Sequence, residues 1–168
     1  MKYIEIMKSD TKSIKELSEL ASKIVKEHYD PIIGETQNDY MIKKFQSARS
    51  IMDQLAKNYS YFFVANNDGV RVGFIAFYPR ENDLYLSKFY LEKSQRGQGI
   101  ATDMFEFIKS EATGLRFTSI VLNVNKYNDL AIRAYEKLGM IKIAEEKIDI
   151  GNGYYMDDFV YQYNLSEG

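Results

Sequence analysis

The chain has no cysteine and a single histidine, His28. The first absence removes disulfides, thiolate metal sites and a cysteine nucleophile together, so no acyl group can be carried on a protein sulfur. The second leaves only scattered carboxylates, and no metal-ligand cluster is expected. Neither sign of charge dominates. Lys and Arg number 22 against 24 Asp and Glu, a net charge of -2, which gives no general field for nucleic acid. No apolar run approaches a membrane span, and the opening MKYIEIMKSDTKSIKEL is charged throughout, without a signal core. These absences predict a cytoplasmic protein that engages neither nucleic acid nor membrane.

What is present describes a globular chain. Its 168 residues are 45% hydrophobic and 27% charged, enough for one domain over 1–168 with a real core. The chain shows no repeat, low-complexity tract or linker. Lys2 to Met7 alternates as a short strand. Ile14, Leu17, Ala21, Ile24 and Val25 form a helical stripe, with Ser13 and Glu16 suited to a capping box and Tyr29-Asp30-Pro31 as the stop. A second helix is predicted on Met41, Phe45, Ala48, Met52 and Leu55. Tyr59 to Ala65 and Val70 to Tyr78 read as a hairpin about Asn66-Asn67-Asp68-Gly69. Thr118 to Val124 is an apolar strand. Asn128 caps a helix carrying Leu130, Ala131, Ala134, Tyr135 and Leu138, which Gly139 closes. Ile141 to Ile150 and Tyr154 to Tyr163 form a last hairpin. The pattern is α/β with a mixed sheet.

The most informative stretch is Gln95-Arg96-Gly97-Gln98-Gly99-Ile100-Ala101. The strand-like Leu84 to Leu91 precedes it. After it, Ile100, Ala101, Met104, Phe105, Ile108 and Ala112 fall at helical spacing up to Gly114. A glycine-bearing turn between strand and helix is an anion cradle, because the backbone can approach a ligand closely and the first helical amides point outward. Arg96 adds a charge suited to phosphate. A pyrophosphate fits such a site.

This stretch resembles the acetyl-CoA pyrophosphate loop (Q/R-x-x-G-x-G/A) of the GNAT family of N-acetyltransferases. A second match runs through Leu122-Asn123-Val124 and Asn128 to Ala131-Ile132-Arg133-Ala134-Tyr135-Glu136-Lys137-Leu138-Gly139-Met140. It is similar to that family's later strand and helix. Two motifs in order, separated by a helix and a strand, are specific where one glycine motif is not. The resemblance implies a mostly antiparallel sheet flanked by about four helices, with a splayed central strand forming an acetyl-CoA cleft. It implies that backbone amides of Arg96, Gly97, Gln98, Gly99, Ile100 and Ala101 hold the pyrophosphate. Phe89 and Leu91 would offer backbone groups to the pantetheine arm and thioester oxygen. Tyr135 would bind the thioester sulfur and protonate the leaving thiolate, a task suited to a phenol with a reference pKa of ~10. Asn123 and Asn128 would reach the cofactor. Each has a plainer reading as well: Asn128 as a helix cap, Asn123 as an amide with a local partner, Tyr135 as a packed aromatic.

An amine acceptor must lose a proton before it attacks, and no spacing singles out the base among Glu81, Asp83, Tyr85 and Glu35. His28 lies on the apolar face of the first helix, where packing or capping explains it. A looser likeness in His28 to Phe45, the YSYFFVA strand and the YYMDDFVYQYNL ending points to bacterial polyamine acetyltransferases. Glu35, Asp39, Asp157 and Asp158 would then supply a negative field, or else form an ordinary solvated surface. The expected reaction is acetyl transfer from acetyl-CoA, as co-substrate, directly to a small-molecule primary amine. Protein or peptide amines, and a non-catalytic acyl-CoA sensor on the same fold, are the alternatives. A dinucleotide enzyme fits poorly, since Thr102 stands where the third glycine belongs. Family habit implies a homodimer.

Overall fold

The computed structural model describes residues 1–165. Two compact units emerge. Met1–Tyr78 with Lys88–Met104 form the first, and Pro79–Ser87 with the chain from Phe105 onward form the second. The strands are β1 (Lys2–Ile6), β2 (Ser60–Ala65), β3 (Arg71–Pro79), β4 (Leu84–Leu91), β5 (Ser119–Asn125), β6 (Ile141–Gly151) and β7 (Tyr154–Asn164). Their hydrogen-bonded order is β1-β2-β3-β4-β5-β7-β6 in one seven-stranded sheet. The pairs β1–β2, β2–β3, β5–β7 and β6–β7 are antiparallel, while β4–β5 is parallel. Five α-helices among the described residues complete the mixed α/β architecture, as the resemblance implies.

In the first unit, α1 (Thr11–Ile33) presents the predicted stripe. Ile14, Leu17, Ala21 and Ile24 are buried with Ile51 of α3 (Ala48–Ala56) against Ile6, Tyr61, Phe63, Phe74 and Ala76. Each of the buried Ile, Leu and Phe side chains removed from water contributes about 1.5–3 kcal/mol, and this cluster is the unit's core. Three helix boundaries differ from expectation. Asp10, not Ser13, caps α1, its carboxylate accepting from Ser13 N at 3.0 Å and Ser13 Oγ at 2.7 Å. Pro31 does not stop α1. It sits in the last turn, where its missing N–H costs one hydrogen bond, and Gly34 (φ +89°) ends the helix by donating to Asp30 O. The predicted second helix is two, α2 (Glu35–Phe45) and α3, because Ser47 Oγ accepts from Ser50 N at 3.2 Å and starts a fresh helix.

The β2–β3 hairpin is locked as its sequence suggests, with Asn66 Oδ1 accepting from Asp68 N and Val70 N and Gly69 in the left-handed region (φ +82°). Gly73 has a different reason to be glycine. A Cβ there would run into the carbonyl of Tyr90, so β3 tolerates no side chain where it faces β4.

In the second unit, β4 starts its ladder with β5 at Leu84↔Ile120 and Tyr85↔Val121. Phe105, on α4 (Ile100–Gly114), meets Tyr163 of β7 edge-on at 5.2 Å. Helix α5 (Asp129–Lys137) begins at Asn128, whose Oδ1 accepts from Ala131 N at 3.3 Å, and turns out through Gly139 (φ +100°). The β6–β7 hairpin reverses at Asn152-Gly153 as predicted. Residues 141–149 of β6 are exposed throughout, as an outermost strand allows.

Candidate functional site

The cradle lies wholly in the first unit. After β4 a single 3-10 turn, Lys93–Gln95, leads into Arg96. Gly97 and Gly99 both adopt positive φ (+78° and +79°), and no atom lies within 4 Å of where a Cβ would stand on either. Space and backbone freedom therefore coincide at the head of α4. Asp103 N donates to Gly99 O at 3.2 Å as the first helical bond, so the amides of Ile100, Ala101 and Thr102 precede the ladder and point outward. The residues fit a bound pyrophosphate. Arg96 curls back, its Nη2 donating to Leu91 O at 3.3 Å and lying 3.5 Å from His28 Nδ1. The structure thus brings Leu91, His28 and the loop together.

Just upstream on β4 is a residue that sequence reasoning passed over. Lys88 is 5% exposed. Its Nζ donates to Phe45 O at 2.7 Å, Gln46 Oε1 at 2.9 Å, Gln54 Oε1 at 3.1 Å and the Tyr61 hydroxyl. Burial pushes its pKa down to about 7. The signal was a lysine inside LYLSKFYL, which apart from it and Ser87 is aliphatic and aromatic.

The second unit holds Asn123, Asn128 and Tyr135. Asn128 is buried and serves as the cap. Tyr135 is half-buried on α5. Asn123 is fully engaged by neighbours: Oδ1 accepts from Tyr85 OH at 2.8 Å, and Nδ2 donates to Glu146 Oε2 at 3.0 Å and Asp158 Oδ2 at 3.3 Å. Local partners therefore account for an amide in this apolar strand. Asp158 is 2% exposed, and its pKa is pushed up to about 6, chiefly by burial, with Glu146 and Asp157 adding repulsion against the Asn123 hydrogen bond.

Of the other acidic candidates, Glu35, Asp39, Asp83 and Asp157 lie beside cations. Lys26 Nζ lies 3.0 Å from Asp30, 3.6 Å from Glu35 and 3.0 Å from Asp39. Lys126 binds Asp157 at 3.0 Å, and Asp83 pairs with Arg80 at 2.6 Å. Among the described residues no group of three or more His, Cys, Asp or Glu side chains is placed to hold a metal ion, and no helix is long and apolar enough to cross a membrane.

The profile of the acetyltransferase (GNAT) family matches residues 23–140, more than half of the chain, and the chain belongs to that family. It is an N-acetyltransferase that uses acetyl-CoA as co-substrate. A search of curated proteins returns no match. The fold is shared with solved structures at low identity. The PaiA N-acetyltransferase from Thermoplasma acidophilum, in complex with coenzyme A, is 17% identical with a TM-score of 0.76, the alignment covering 98% of this chain and 99% of that one. A GCN5-related N-acetyltransferase from Rhodopseudomonas palustris gives 13% and 0.77, covering 98% and 95%. A GNAT-family acetyltransferase from Staphylococcus aureus Mu50 gives 18% and 0.71, covering 98% and 99%.

Proposed function

We propose that the chain acetylates a small primary amine, with a polyamine as the leading class, by direct attack of the amine on the acetyl-CoA thioester. The observation that carries the cofactor end is the pair of positive-φ glycines, Gly97 and Gly99, opening free space at the head of α4. Backbone amides of Arg96 to Ala101 hold the pyrophosphate, and those of Phe89 and Leu91 hold the pantetheine arm and the thioester oxygen. The thioester supplies the activated acetyl group. Tyr135 gives its phenolic proton to the departing sulfur as the C–S bond breaks and the new C–N bond forms, while the proton shed by the amine nitrogen passes to solvent, from which the phenolate is reprotonated. With no cysteine in the chain, a cysteine-bound acyl intermediate is ruled out.

For the acceptor, Glu146 and Asp158 support a cationic amine, since both carboxylates converge on Asn123 Nδ2. Asn128 remains a candidate pantetheine contact alongside its capping role, whereas Asn123 is assigned to the carboxylate side.

Thiol release from acetyl-CoA in the presence of spermidine, spermine, amino sugars, amino acids and short peptides tests this reading. Turnover highest with the polyamines is expected. Turnover with peptides alone replaces the acceptor, and tight acetyl-CoA binding without any turnover replaces catalysis with sensing. A homodimer is also proposed; sedimentation that finds only monomer at high micromolar concentration removes it.

A further inference from the structure

We propose that Lys88 is a positioning residue for acetyl transfer, clamping β4 just ahead of Phe89 and Leu91 to the α2–α3 junction, to α3 and to β2. The proposal rests on the reading that Phe89 and Leu91 hold the thioester. Four partners from four separate segments converge on one Nζ: the last carbonyl of α2 (Phe45), the junction side chain Gln46, Gln54 of α3 and Tyr61 of β2. No carboxylate is among them, so this is a buried hub of hydrogen bonds and not an ion pair. Such a group stabilises poorly for the desolvation it costs, which makes a purely structural lysine an inefficient choice beside a leucine.

What it does achieve is geometry. Helix α2 has Asn38 as its only fully buried residue, with Met41, Ile42 and Phe45 half-buried, so apolar packing fixes its end only in part. Ser18 Oγ donates to Gln46 O at 2.7 Å, Ser50 Oγ to Lys44 O at 2.7 Å and Gln54 Nε2 to Phe45 O at 3.3 Å, and Lys88 is the tie that brings β4 to this junction. One residue along β4 from the amides proposed to hold the acyl group, a displacement at Lys88 is transmitted along the strand backbone.

The hub is also sensitive to protons. Of the groups facing Lys88, the Phe45 carbonyl, Gln46 and Gln54 are neutral, and the phenol of Tyr61, stacked on Tyr59, is itself pushed up by burial. As an ammonium, Lys88 shares its three N–H among the four acceptors. As a free amine it donates two and accepts one, which draws the Tyr61 proton away from Gln54 and slackens the tie to α3. The clamp is complete below about pH 7.

Lys88→Met tests the assignment by kinetics and amide hydrogen exchange. The expected result is a fall in kcat of about tenfold with the KM for acetyl-CoA within about threefold. Faster exchange is expected at Phe89 to Leu91 together with Phe45 to Ser47. The wild-type kcat profile should carry a downward step near pH 7 that the variant lacks. Unchanged kcat, exchange confined to the α2–α3 junction, or a step that persists in the variant would each overturn it. Should Lys88→Met fail to fold, Tyr61→Phe removes one partner only and should lower kcat by about threefold, with no change counting against the clamp. Should the wild-type protein acetylate no amine, the proposed function fails, while the exchange comparison still decides whether Lys88 orders Phe89 to Leu91.

Discussion

Helices α1 and α5 carry similar apolar stripes and use them differently. On α1, Ile14, Leu17, Ala21, Ile24 and Val25 are all buried, and the helix is part of its unit's core. On α5 the stripe of Leu130, Ala131, Ala134, Tyr135 and Leu138 includes no buried residue, and Leu130 is 52% exposed. Periodicity reports that a helix has an apolar face, not what covers it. In the first case protein covers the face. In the second no residue of the helix is buried, and the function proposed above would lay the acyl-CoA arm beside Tyr135.

The comparison is broken or sharpened by four substitutions. Tyr135→Phe should cut kcat by about 10²–10⁴-fold with little change in melting temperature or in acetyl-CoA affinity by calorimetry; a merely packed tyrosine would leave turnover intact. Leu17→Ala, on the covered face, should cost about 2–5 kcal/mol in urea unfolding, and a loss under 1 kcal/mol would mean that α1 is not core. Asp158→Asn tests the second unit through pH. The folded pKa of about 6 lies above that of an unfolded aspartate, so the native protein holds a proton that the unfolded chain has lost. Stability from this group is therefore complete below about pH 4 and lost as pH rises through 6. The variant should flatten that slope and gain about 1–2 kcal/mol at pH 7; an unchanged slope would place the titration elsewhere. Leu130→Ser should change stability by less than about 0.5 kcal/mol, and a larger loss would show that α5 is covered by protein after all.

The sequence made the cradle, β4 and the two hairpins legible because their signals are local: glycines where φ is positive, Asn66 at a turn it can close alone, apolar runs bounded by turn residues. It misplaced the end of α1 because Pro31 looks like a stop whether it stands in the last turn or in the middle. It fused α2 and α3 because their stripes are in phase across Ser47, and only the cap separates them. Lys88 and Asn123 stand out as polar residues in apolar strands, but their partners Phe45, Tyr61, Tyr85 and Asp158 were not legible, since these lie 27 to 43 residues away in sequence. Separations of that size leave no periodicity to read.

The turn between β5 and α5 has one further use. Tyr127 is 70% exposed there, while its own N–H is held by Asn125 Oδ1 at 2.9 Å. Because the chain lacks cysteine, Tyr127→Cys would create a single thiol on a backbone already fixed in place. A fluorophore attached at that point would follow events at the head of α5 in real time, without any background labelling to subtract.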